Sequence, residues 1–167
     1  MTIDELDDLP ESEAREALAR CCGSSAWVAG MLARRPFGSK AGLLTASDVS
    51  WSHTREKDWL EAFSHHPRIG GKDALRAKFA ATKDWSSGEQ AGAAAADEAT
   101  LDALAKGNAD YEARFGFIFI VCATGKTAAQ MLELLNARLL NERREELIVA
   151  AGEQAKITRI RLEKLIS

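Results

Sequence analysis

Cysteine is scarce in this chain, with only Cys21, Cys22 and Cys122 among 167 residues. An odd count that includes an adjacent pair, poorly placed to bridge to itself, implies no disulfide framework and fits a reducing compartment. Long apolar runs are also lacking. No stretch approaches the ~18 uninterrupted apolar residues that a membrane span needs. The opening Met1-Thr2-Ile3-Asp4-Glu5 is acidic where a secretory leader would be basic and then apolar, and the closing Lys164-Leu165-Ile166-Ser167 is not a peroxisomal Ser-Lys-Leu address. The expected location is the cytoplasm. Neither sign of charge dominates: 22 basic and 25 acidic residues are interspersed and leave a net charge of -3, so no nucleic-acid or anionic-membrane partner is expected. Histidine is limited to His53, His65 and His66, without His-x-x-x-His or Cys-x-x-Cys spacing, so no zinc or iron site is expected.

Proline is sparse as well, while alanine, leucine and glutamate are abundant, with apolar positions recurring at three- and four-residue intervals. That is helical periodicity. Candidate helices run over Ser12–Cys22, Ser25–Arg34, Thr54–Phe63, Lys72–Ala80, Ser87–Ala95, Asp97–Arg114, Lys126–Leu140 and Glu142–Leu165. At 46% hydrophobic residues the chain can bury one core, and no linker or repeat divides residues 1–167. The expected fold is an all-α single-domain bundle of about eight helices. One segment departs from it: Phe115 to Cys122 is apolar without helical spacing and rich in β-favouring residues. It reads as short, extended and buried, with main-chain amides that need partners a polar ligand can supply. A short helix buried on all sides is the alternative reading.

Several motifs bear on chemistry. In Phe63-Ser64-His65-His66-Pro67-Arg68-Ile69-Gly70, Pro67 drives His66 out of helical conformation and Gly70-Gly71 frees the chain to turn again. An imidazole fixed at such a loop end can exchange protons near neutral pH; a plain turn residue is the competing reading. His65, as the adjacent residue, should point elsewhere. In Trp85-Ser86-Ser87-Gly88-Glu89-Gln90, both Ser86-x-x-Glu89 and Ser87-x-x-Gln90 fit capping boxes. The same helix start, facing a ligand, would favour a carboxylate or oxyanion, with Glu89 holding ureido or amide hydrogens or orienting His66. Gly125-Lys126-Thr127 imitates a phosphate loop, but the glycine required five residues before Gly125 is Ile120, so Thr124 and Gly125 are read as the start of the next helix. The last helix carries a stripe of Leu147, Ile148, Ala151, Ala155, Leu162, Leu165 and Ile166, with Thr158 in its arc. Arg159 and Arg161 flank that stripe, and periodicity does not choose between them as a ligand-holding fork.

Six elements in order carry a resemblance: Arg35-Pro36-Phe37; Phe63 with His66-Pro67-Arg68-Ile69-Gly70; Ser86-x-x-Glu89-Gln90; Asn108-x-x-Tyr111-x-x-x-Phe115-Gly116-Phe117-x-Phe119-Ile120; Arg138-Leu139; and Ile157-x-x-x-Arg161-Leu162. Together, from about residue 25 to 165, they resemble the 2-oxo-4-hydroxy-4-carboxy-5-ureidoimidazoline (OHCU) decarboxylases, which complete the route from urate to (S)-allantoin. The resemblance implies an all-helical homodimer without metal or organic cofactor. It implies catalytic roles for His66 and Glu89, and substrate contacts from Pro67, Ser86, Gln90 and Arg161. Phe117, Phe119 and Ile120 would lend main-chain contacts. Two other readings stand beside it: a helical interaction module whose segment from Phe115 binds a partner, and a lyase or hydrolase acting on a related ureido compound.

Overall fold

A computed structural model describes the backbone of residues 1–68, 71–83 and 90–167, and the side chains of these except 78, 80–83 and 90–97. Nine helices occupy the described residues: α1 (Ile3–Asp8), α2 (Glu11–Cys21), α3 (Ser25–Leu32), α4 (Lys40–Ser52), α5 (Glu56–Ser64), α6 (Lys72–Lys83), α7 (Gln90–Phe115), α8 (Ala128–Arg138) and α9 (Arg143–Leu165). No strand occurs among the described residues, so the fold class is all-α as the sequence predicts. No helix described is long and apolar enough to cross a membrane.

Local chemistry explains four of the nine described helix starts. Thr2 and Glu5 form a capping box at α1, Ser24 accepts from Trp27 N at α3, and Ser39 accepts from Gly42 N at α4. Thr127 and Gln130 exchange bonds of 2.9 and 3.1 Å at α8. Each such cap is worth about 1 kcal/mol. The α8 cap corrects the sequence reading of Lys126–Leu140: Gly125, at φ +75°, makes the turn, and the helix begins only after Thr127.

Two helices lie outside the eight expected. The six residues of α1 are too few for periodicity to register. In α4 two of the five buried residues are serines, Ser47 and Ser50, which stand beside Leu43, Leu44 and Ala46. Those small residues admit close packing: a Cβ built on Gly30 of α3 would lie 3.0 Å from Ser50 Oγ, and Trp27 Nε1 donates to Ser47 O at 3.3 Å. In the other direction, the two helices expected over Ser87–Ala95 and Asp97–Arg114 are one, α7, uninterrupted from Gln90.

The chain divides into two compact units. The first comprises Met1–His66, Ile120–Cys122 and Leu147–Ser167, with a core including Leu6, Leu18, Trp27, Met31, Leu43 and Leu162. Full burial of such a side chain contributes about 1.5–3 kcal/mol. Within this unit Arg35 Nη2 lies 2.6–3.0 Å from the carbonyls of Leu6, Asp7 and Leu9, and the Asp7 carboxylate accepts from Phe37 N and Gly38 N. Arg35-Pro36-Phe37 is thus a clasp on the C-terminal end of α1, whose open carbonyls want a cation.

The second unit comprises Pro67–Phe119 and Ala123–Glu146. Here α7 packs on α8, and a Cβ on Gly107 would lie 2.5 Å from Leu135 Cδ2, so glycine sets their approach. Lys72 and Arg76 of α6 pair with Glu98 of α7 at 2.6 and 2.7 Å. Glu146 is fully buried, accepting from Tyr111 Oη at 2.5 Å, Arg138 Nε at 2.6 Å and Asn141 Nδ2 at 3.0 Å.

Candidate active site

The last turn of α5 tightens before it ends: His65 N donates to Ala62 O and His66 N to Phe63 O, both at 3.2 Å. Pro67, with no N–H and with steric demands on the residue before it, stops the helix there, as the sequence predicts. The two histidines diverge. His65 is exposed and lies over Gly23, where a Cβ would come within 2.5 Å of its Cβ and Cγ. His66 is half-buried, and its Nε2 meets Oε1 of Gln154 at 2.5 Å.

Gln154 belongs to the buried face of α9. Leu147, Ala150, Ala151, Gln154, Thr158 and Leu162 are all buried there, whereas Ile148, placed in the apolar stripe by the sequence, is 61% exposed. The stripe was read too far round: Ala150 and Gln154 belong to the buried arc and Ile148 does not. Gln154 Nε2 donates to Thr158 Oγ1 at 3.1 Å. Three residues on, Arg161 is half-buried and its Nη1 donates to Cys21 O at 3.4 Å. Offsets of four and three place Gln154, Thr158 and Arg161 on one side of a helix. Arg159 is exposed, 3.8 Å from Glu163 Oε1, so burial distinguishes the two arginines that periodicity left equivalent. Cys21 and Cys22 close this region from the α2 end; burial pushes the Cys21 thiol up to about 11 despite the nearby Arg161 charge, and raises Cys22 as well. Both are free, buried and protonated at neutral pH, which makes them packing groups rather than nucleophiles.

The apolar segment after α7 has neither helix nor ladder from Phe117 to Ala123, in keeping with the non-helical reading. In the first unit, Ile120 and Cys122 are buried, and Cys122 N donates to Glu153 Oε1 at 3.3 Å, beside Gln154 in sequence. In the second, Phe117 is buried and, with Phe115 and Phe119, rings Tyr111 at centroid distances of 4.6–5.7 Å. Arg138 lies over the Phe119 ring at 4.6 Å. Burial and the bond to Glu146 hold the Tyr111 phenol well above its usual pKa, so it stays protonated. The side chains of Phe117 and Phe119 are thus committed to packing. Among the described residues the amides of Ile118, Phe119 and Val121 have no hydrogen-bond acceptor.

Pro67 is exposed, and Arg68 pairs with Glu112. Ser86, Glu89 and the side chain of Gln90, with both capping boxes expected there, lie outside the described residues, as do Ile69 and Gly70. Among the described residues no three of His, Cys, Asp and Glu gather as a metal ion would need. Sequence reasoning missed Gln154 and Glu153. Gln154 carried a signal: it lies four residues before Thr158 in an otherwise apolar arc, and a polar group buried there must find a partner.

The model of the OHCU decarboxylase family matches residues 7–163. The chain belongs to the OHCU decarboxylase family. The uric acid degradation bifunctional protein TTL of Arabidopsis thaliana is 43% identical over 150 residues, covering 88% of this chain and 45% of that protein. The OHCU decarboxylase of Xenopus laevis is 35% identical over 102 residues, covering 58% of this chain and 55% of its own length. The chain thus spans about half the length of these relatives. A solved structure, that of an OHCU decarboxylase in the presence of (S)-allantoin, superposes with a TM-score of 0.70 at 37% identity, covering 89% of this chain and 95% of that one. Of the motifs shared with OHCU decarboxylases, three here are scaffold: Arg35-Pro36-Phe37 clasps α1, Tyr111 and Arg138 enclose Glu146, and Phe115 and Phe117 fill the ring cluster. His66 and Arg161 are half-buried, as are Arg35 and Asn108.

Proposed function

We propose that this protein decarboxylates OHCU to (S)-allantoin in urate degradation, without metal or organic cofactor, with His66 as the proton carrier. The observation that carries this reading is the placement of His66: an imidazole held at a helix end by a buried amide, on the side of α9 that also bears Arg161. The family resemblance assigns Glu89 as the second catalytic group, Ser86, Pro67, Gln90 and Arg161 as substrate contacts, and the main chain at Phe117, Phe119 and Ile120 as further donors and acceptors. A single domain, cytoplasmic and homodimeric, completes the proposal.

The substrate supplies its own electron sink. Its carboxylate sits on a hydroxyl-bearing ring carbon next to a C=N bond, so when the C–CO2 bond breaks the electron pair runs through the ring to the imine nitrogen, which takes up a proton from solvent, and an ene-ol results. The hydroxyl then loses its proton to become a carbonyl, and the ureido-bearing carbon gains one. A base at the hydroxyl and an acid at one face of that carbon are what the protein must add, and an imidazole near neutrality serves both steps. Delivery to a single face fixes the (S) configuration. Arg161 supplies a fork of donors for the anionic parts of the substrate, where charge moves during the reaction.

The test generates OHCU in place from urate with the two preceding enzymes and follows optical activity. Addition of the protein should accelerate the appearance of (S)-allantoin, and His66→Ala should remove a factor of about 100 or more while leaving the helical circular dichroism unchanged. An unaltered rate with the wild-type chain would overturn the proposal.

A further inference from the structure

We propose that Gln154 is a positioning residue that accepts the Nε2–H of His66 and thereby makes Nδ1 the nitrogen that exchanges protons with the substrate. The inference rests on the catalytic reading of His66 and adds to it which nitrogen works and what fixes it. Gln154 Oε1 stands 2.5 Å from His66 Nε2, and Gln154 is 1% exposed. An amide oxygen only accepts, so the imidazole nitrogen facing it carries hydrogen, and the lone pair of the neutral ring is on Nδ1.

What orients the amide is equally local. Its Nε2 donates to Thr158 Oγ1 at 3.1 Å, one turn along α9, and Thr158 is 3% exposed. The row His66, Gln154, Thr158 therefore has one sense of donation. A flipped amide would present NH2 to His66 and demand the opposite tautomer.

The choice of amide over carboxylate also has a chemical consequence. A buried glutamine on an apolar helix face costs free energy unless its hydrogen bonds are made, and packing alone would favour leucine at this position. A carboxylate would hold the imidazolium as an ion pair and resist return of the proton. The neutral amide aligns the ring in both protonation states and lets it take a proton on Nδ1 and give it back.

The experiment reads the tautomer directly. In the uniformly 15N-labelled full chain, two-bond 1H–15N correlations of the His66 ring, assigned by loss in His66→Ala, should show a protonated Nε2 and a pyridine-like Nδ1 in the neutral form. In Gln154→Leu the two nitrogens should move toward averaged shifts, and kcat should fall up to about 100-fold with KM changed less than about twofold, as expected when a reacting group is misaligned without loss of a substrate contact. Gln154→Glu, which keeps an acceptor oxygen, should restore the Nε2–H tautomer. A wild-type ring with its proton on Nδ1 overturns the proposal even if the chain decarboxylates OHCU. The Nε2–H tautomer in a chain that leaves the rate of allantoin formation unchanged would instead sink the decarboxylase reading and leave Gln154 as the anchor of His66.

Discussion

Gly23 has no room for a side chain, since an added Cβ would come within 2.5 Å of His65 Cβ and Cγ, atoms close to the backbone that cannot swing away. Because His65 immediately precedes His66, the steric demand at Gly23 bears on where the imidazole of the site is held. Gly23→Ala should cost about 1–3 kcal/mol in urea unfolding, the usual cost of overpacking, and should lower turnover by displacing His66; an unchanged midpoint and rate would show that the loop yields freely. At this scale the sequence was partly informative. The His66-Pro67 step announced a helix end presenting an imidazole, because proline acts on its nearest neighbour. Gln154 gave only an indirect sign, a polar residue in an apolar arc, and nothing local tied it to His66.

Among the elements, periodicity found seven of the nine helices described, splitting α7 into two expected segments, and it failed where its premises failed. The helix α4 buries serines, which no hydrophobic count rewards, and α1 lasts six residues. What joins α7, α8 and the first turn of α9 is likewise polar: Glu146, 0% exposed, with Tyr111 and Arg138. Removing one partner from a buried ion pair leaves the other charge without compensation, so Arg138→Met should cost about 3–5 kcal/mol. Arg138→Met with Glu146→Leu should recover much of that loss. A double-mutant cycle in urea measures the coupling, and additive losses would mean that the two charges are not paired in solution.

For the whole molecule, the route of the chain matters. It passes between the two units after residues 66, 119, 122 and 146, and the piece Ile120–Cys122 belongs to a unit whose other parts are distant in sequence. The family match runs through both. Neither unit is a continuous stretch, so the chain is expected to unfold as one domain: native-state hydrogen exchange against urea should give the best-protected amides of α2 and α8 the same unfolding free energy. Two distinct values would divide it. By itself the sequence determined the helical class, several helix starts and the His-Pro turn, because these depend on side chains a few residues apart along the backbone. Only the tertiary structure decided that His66 meets Gln154 across 88 residues of chain, that Arg161 rather than Arg159 is half-buried, and that Tyr111 and Arg138 enclose a buried Glu146. Those pairings arise from how helix faces pack, and a one-dimensional pattern records which faces are apolar but not which neighbour each one meets.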